Sequence, residues 1–113
     1  MVRNQFVPGR GDFIWLSFTP QAGHEQAGRR PALVLSPKEY NKRAGLALVC
    51  PVTSQIKEYP FEVLLSSKLR VSGVILADHV RSVDWRARNA EIIQQAPIQT
   101  LNEVLAKIDV LLS

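Results

Sequence analysis

The sequence predicts a small, mainly β domain of the α+β class, closed by one C-terminal helix. Three observations carry this: short runs rich in β-branched and aromatic residues, turn residues between them, and one apolar stripe of helical period near the end. Phe13-Ile14-Trp15-Leu16-Ser17-Phe18 follows the turn-rich stretch 7–12 and reads as the first strand. Alternation puts Phe13, Trp15 and Ser17 on one face and Ile14, Leu16 and Phe18 on the other. Both faces are mostly apolar, so this strand is expected to be covered on both sides, in a small barrel or at a subunit contact. Residues 19–28, with one proline and two glycines, form a long loop.

Pro31 opens the second strand, 31–36. Lacking an N–H and fixed in φ, it is expected to begin a strand and not to lie inside a central one, holding Arg30 extended at the rim. Ser36 reads as an N-cap, with Pro37 at the first position of one short helical turn that Gly45 ends. Residues 46–53 make an apolar third strand whose Pro51 marks its end or an edge, and 54–58 is a polar turn. Stretches 59–65, 73–78 and 90–94 supply the remaining strands, with the polar stretch 66–72 between the first two. Pro97 suits the first position of the long helix, in which Leu101, Val104, Leu105, Ile108, Leu111 and Leu112 recur at spacings of three and four. That stripe packs on the barrel or on a partner.

A chain of 113 residues, 46% hydrophobic, can bury a real core and fits one domain, 1–113. The net charge of +4 favours a polyanionic partner, either nucleic acid or an acidic protein segment, although ordinary solubility also accounts for it. Cys50 has no second cysteine to pair with and, between Val49 and Pro51, reads as a small buried hydrophobe, which fits a cytoplasmic location. The sequence holds no apolar stretch long enough to span a bilayer, and residues 1–5 lack a signal-peptide core, so no membrane association is expected.

The motifs of common chemistries are missing. His24 and His79 are far apart and no spacing resembles a metal site; Gly9 and Gly11 precede a strand instead of a helix; and no nucleophile elbow occurs. What remains is a set of polar residues at strand ends: Arg30, Thr53 and Asp78, expected to share one rim. A guanidinium on a rigid strand end suits a phosphate, because its planar donors match phosphate oxygens and it stays charged at ordinary pH. A surface ion pair is the plain alternative for Arg30.

Longer pieces carry a resemblance. His24-Glu25-Gln26-Ala27-Gly28-Arg29-Arg30-Pro31-Ala32-Leu33-Val34-Leu35-Ser36-Pro37, Pro51-Val52-Thr53-Ser54-Gln55, Tyr59-Pro60-Phe61-Glu62-Val63, Leu76-Ala77-Asp78-His79-Val80-Arg81-Ser82 and Trp85-Arg86-Ala87-Arg88 resemble the MazF/PemK family of toxin endoribonucleases, its MazF branch in particular. The similarity runs in order over nearly the whole chain. It implies an SH3-like, CcdB/PemK-type barrel with a C-terminal helix, forming a homodimer. It also implies ribosome-independent cleavage of single-stranded RNA at short, ACA-like sites, leaving a 2′,3′-cyclic phosphate and a 5′-hydroxyl. The nucleophile is the tethered ribose 2′-OH, so neither a metal nor another cofactor is expected. The partner implied is a MazE-like antitoxin with a disordered, acidic and apolar tail.

By position, Arg30 and Thr53 match the family's catalytic arginine and threonine. Arg30 is then the oxyanion stabiliser and a proton donor, and the Thr53 hydroxyl holds a nonbridging oxygen or orients the 2′-OH. Glu25 and His24 are the chemically plausible proton acceptors, or simply solvated loop residues. Asp78 matches an aspartate catalytic in the PemK branch, but Leu76 stands where that branch has an arginine, so Asp78 either acts or only fixes a turn. RNA needs cations for its phosphates and flat groups for splayed bases. Arg29, Lys57, Arg81, Arg86 and Arg88 are candidates for the first, with Gln55 beside Lys57, and Trp15, Phe18 and Tyr59 for the second; for Trp15 and Phe18, as for Trp85, core packing competes. Sequence choice is expected to depend on the loops 19–28 and 54–58. A gyrase-binding, non-catalytic toxin of the CcdB type is the rival reading of the same barrel, and a catalytically dead antitoxin-binding relic a third.

Overall fold

The computed structural model describes residues 6–17 and 28–113. Within them the order is β1 (Asp12–Ser17), β2 (Arg29–Val34), α1 (Lys38–Ala44), β3 (Ala47–Thr53), β4 (Glu62–Leu64), β5 (Val74–Leu76), β6 (Arg81–Val83), β7 (Glu91–Gln95) and α2 (Ile98–Leu112). The strands form one sheet in the order β4-β5-β3-β2-β1-β7, and β6 adds to β3. Each pairing is antiparallel. The mainly antiparallel α+β fold with a C-terminal helix is therefore the expected one.

The two apolar faces of β1 each meet a core. Phe13 joins Leu33, Cys50, Val52, Ile75, Leu101 and Val104, where α2 lies across the sheet; Ile14 and Leu16 join Ala32, Val34, Val49, Val83 and Trp85 on the opposite side. Each Phe, Leu, Ile or Val among them, fully removed from water, contributes about 1.5–3 kcal/mol before the cost of ordering it. Trp85 is tied in further, its indole N–H donating to the Asn41 carbonyl at 3.0 Å. Trp15 departs from the core expectation: it is 37% exposed.

Two prolines correct the strand expectations. Pro31 lies inside β2, opposite Trp15, yet the ladder between β2 and β3 extends only from Val34 to Ala32. Its missing N–H therefore interrupts no bond to β3. Pro51 sits inside β3, where one side of that strand passes from β6, paired at 47–49, to β5, paired at 52–53. The changeover leaves a gap in the ladder that a proline can occupy. β6 itself was not anticipated, since three residues of which two are exposed show no legible alternation.

The helix ends also differ. Pro37 and Pro97, both extended, occupy the N-cap positions of α1 and α2 without a side-chain cap bond, so Ser36 is not the cap. Its hydroxyl instead meets the Asn41 side chain and accepts the Leu48 N–H at 2.9 Å. α1 runs to seven residues and is closed by Gly45 at φ 71, whose N–H bonds the Asn41 carbonyl. In α2, Leu101 and Val104 are buried and Leu105 and Ile108 pack against the core, whereas Leu111 and Leu112 face outward, 49% and 79% exposed.

Cys50 is buried as expected, and burial first, the Asp78 charge second, raise its thiol from 9.0 to about 12. The neutral thiol is the folded form, so its contribution to stability is complete below pH 9 and is lost as pH rises through about 12. The native protein is expected to resist iodoacetamide at pH 8 and to be alkylated rapidly once unfolded in urea. Rapid labelling of the native chain would contradict the burial.

Candidate active site

β2 and β3 fix the geometry of the candidate site. Ala32 lies opposite Pro51. Continuing that register by two residues brings Arg30 opposite Thr53 on the same face, beyond the point where the strands stop bonding. The gap between the strand ends is part of a cleft of about 380 Å³ lined by Trp15, Arg30, Pro31, Val52, Thr53, Ser54, Arg70, Val71 and Ser72. Three cleft residues, Trp15, Arg30 and Thr53, were candidates from sequence. Arg70 was not singled out, because it stands in a polar stretch without periodicity.

Arg30 is exposed, and among the described residues its guanidinium has no partner. Its donors are available to a ligand. Thr53 Oγ1 accepts the Gln55 N–H at 3.1 Å. A hydroxyl that accepts in this way keeps its own proton for an acceptor in the cleft. Behind Thr53 the chain is held tightly: Gly73 has φ +109, and a Cβ there would stand 2.1 Å from the Thr53 carbonyl oxygen. Among the described residues the cleft lining contains two arginines and no carboxylate. An anion entering it meets cationic donors.

The loop after Thr53 is anchored. The Glu62 carboxylate accepts the Lys57 N–H at 3.0 Å and the Glu58 N–H at 2.8 Å, and Glu58 takes a left-handed φ of 62. Gln55 and Lys57 are exposed on this loop, next to the cleft in sequence.

Other candidates lie elsewhere. Arg29 alternates to the opposite face from Arg30 and is engaged by Ser17 Oγ, the Asn89 carbonyl and, at 3.0 Å, Glu91. Arg88 donates to the Ser17 carbonyl at 3.2 Å, and Arg86 stacks on Trp85 with its guanidinium carbon 4.4 Å from the ring centre. Arg81 pairs with Val49, four residues from Thr53 and so roughly 13 Å away along β3. Asp78 does not line the cleft: it accepts the Tyr59 hydroxyl at 3.0 Å and lies 3.8 Å from His79 Nε2. Its carboxylate thus ties the loop after β3 to the segment after β5. Partial burial, then that hydrogen bond, then the negative charges of Asp78 and Glu62 hold the Tyr59 phenol above its ordinary value of 10.0, so the ring stays neutral near pH 7. His24, Glu25 and Phe18 lie outside the described residues. Among the described residues no three His, Cys, Asp or Glu side chains gather closely enough to hold a metal ion.

A family model for PemK-like, MazF-like toxins of type II toxin-antitoxin systems matches residues 9–112. The endoribonuclease toxin MazF of Escherichia coli (strain K12) is 50% identical over 109 residues, covering 96% of this chain and 97% of the relative. Endoribonuclease PemK of Escherichia coli is 34% identical over 117 residues, with 100% and 88% covered. Among solved structures, MazF in a MazE-MazF crystal from Deinococcus radiodurans superposes with a TM-score of 0.91 at 60% identity, covering 96% of this chain and 97% of that one. The higher identities fall on the MazF side. With the fold, the order of the motifs and the match over nearly its full length, this chain belongs to the PemK-like, MazF-like toxin family of type II toxin-antitoxin systems.

Proposed function

We propose that this MazF-type toxin endoribonuclease cuts single-stranded RNA in the cleft between Arg30 and Thr53, by attack of a ribose 2′-OH on the adjacent phosphorus. The observation that carries the reading is a guanidinium with no partner among the described residues, beside a hydroxyl with a proton to donate, in a cleft whose described lining includes a second arginine, Arg70. A phosphodiester fits this. Arg30 donates to the equatorial oxygens as negative charge builds on the phosphorane, and Thr53 donates to a nonbridging oxygen, a role its bond from Gln55 favours over accepting the 2′-OH proton. The bond from phosphorus to the 2′ oxygen forms as that to the 5′ oxygen breaks. The 2′ proton leaves to a base, and the 5′ oxygen gains one from water or from the protonated base. Glu25 or His24 serves as the base, since a guanidinium offers donors and no acceptor. The products are a 2′,3′-cyclic phosphate and a 5′-hydroxyl.

The same proposal includes a homodimer acting in the cytoplasm and silenced by a MazE-like antitoxin, as in the MazE-MazF complexes of Deinococcus radiodurans. No described helix is long and apolar enough to cross a membrane. The gyrase-binding alternative is not favoured, because the curated relatives are endoribonucleases. Incubating the purified chain with RNA in EDTA tests the proposal. The expected result is cleavage with 5′-hydroxyl ends mapping to a short, ACA-like motif; intact RNA, or 5′-phosphate ends, would overturn it.

A further inference from the structure

We propose that Arg70 is a second phosphate-binding residue of the cleft and that Gln94 of β7 positions it; this rests on the ribonuclease reading above. Arg70 lines the same cleft as Arg30 and Thr53 and is exposed. Its backbone is pinned where the polar stretch before β5 crosses β7: the Arg70 N–H donates to Gln94 Oε1 at 2.6 Å, and Nη1 reaches the Ile93 carbonyl at 3.4 Å.

An irregularity in the sheet creates these acceptors. Phe13 lies opposite Gln94 and Ile14 opposite Ile92, so Ile93 is an extra residue on β7 with no counterpart in β1. A bulge of this kind leaves its residue outside the ladder and re-aims its neighbours. Here it turns the Ile93 carbonyl and the Gln94 amide towards Arg70.

Among the described residues one long contact occupies one of the five guanidinium N–H groups, leaving the others for a ligand. Single-stranded RNA brings one negative charge per nucleotide, and the phosphate held by Arg30 and Thr53 has neighbours on either side. Arg70 stands across the cleft lining to receive one of them, with Trp15 offering a flat surface in the same cleft. Because that phosphate is not the one reacting, its contact is the same in the ground and transition states and acts on binding.

The test uses the full chain, a short single-stranded RNA made uncleavable by a 2′-deoxy substitution at the scissile position, and the matching cleavable RNA. Arg70→Ala is expected to weaken binding about tenfold and to reduce the slope of log affinity against log salt by about 0.7, the release expected for one phosphate contact on a single strand. On the cleavable RNA the loss falls on KM rather than kcat. Arg70→Lys restores the slope, and Gln94→Ala weakens binding by less than Arg70→Ala while leaving the slope unchanged, since the charge remains. Should Arg70→Ala fold poorly, Arg70→Gln is read the same way. Affinity and slope equal to the parent's in Arg70→Ala or Arg70→Gln, with the parent cleaving RNA normally, overturn the inference alone. If the parent itself leaves RNA intact, the ribonuclease reading falls with it.

Discussion

Replacing Arg30 by alanine is expected to slow single-turnover RNA cleavage by about a hundred- to a thousandfold, the loss typical of removing one preorganised donor to a developing oxyanion. The chain should remain folded. Arg30 is exposed and has no partner among the described residues, so its stability contribution should stay within about 0.5 kcal/mol. Binding of an uncleavable RNA should weaken far less than the rate, because the guanidinium meets more charge on the phosphorane than on the ground-state diester. Arg30→Lys should recover only part of the rate, since an ammonium is a point charge without the planar fork. Quench-flow rates at saturating protein check all of this. A rate within threefold of the parent's would remove Arg30 from the chemistry.

Gly73→Ala is expected to cost about 3 kcal/mol or more of stability, read as a fall in the urea midpoint, and to abolish most activity in whatever fraction stays folded. Two independent costs add. At φ +109 an L side chain is strained, and the new methyl would stand 2.1 Å from the Thr53 carbonyl oxygen, a backbone atom that can move only by carrying Thr53 with it. The Gly73 carbonyl also accepts the Leu65 N–H at 3.0 Å, so the segment cannot swing away freely. Gly45→Ala makes the contrasting control. There the added carbon would lie 3.3 Å from the flexible end of the Arg86 side chain, and the expected cost is about 1 kcal/mol, from the left-handed backbone alone. Equal midpoints for the two variants would show that the close approach of Gly73 to Thr53 does not matter.

Much of this was legible from residues in order. The alternation of Phe13 and Ile14 places them in opposite cores, as the two apolar faces of β1 require, and the stripe from Leu101 to Ile108 packs where a helical period says it should. The prolines misled, because their meaning depends on neighbours far away in sequence. Pro31 and Pro51 are tolerated inside strands since the ladder ends or changes partner beside them. Of the candidate site, Arg30 and Thr53 stood out as polar residues at strand ends and by the family resemblance, but their place at one cleft is a matter of register between two strands. Arg70 gave no local signal: its place depends on a one-residue bulge in β7 and on Gln94, 24 residues away. The arginines of 81–88 read as groove cations by charge, whereas in the fold Arg86 stacks on Trp85 and reaches Gly45 just before β3, and Arg88 binds the Ser17 carbonyl.

The measurement that bears most directly on the account is a double-mutant cycle on single-turnover cleavage with Arg30→Ala, Thr53→Val and the two combined. If guanidinium and hydroxyl act on one phosphorane, the double variant should be little slower than the worse single variant, since each substitution already spoils the shared transition state. Rate losses that simply multiply would mean that the two side chains serve separate tasks, and a Thr53→Val enzyme as fast as the parent would contradict the claim outright.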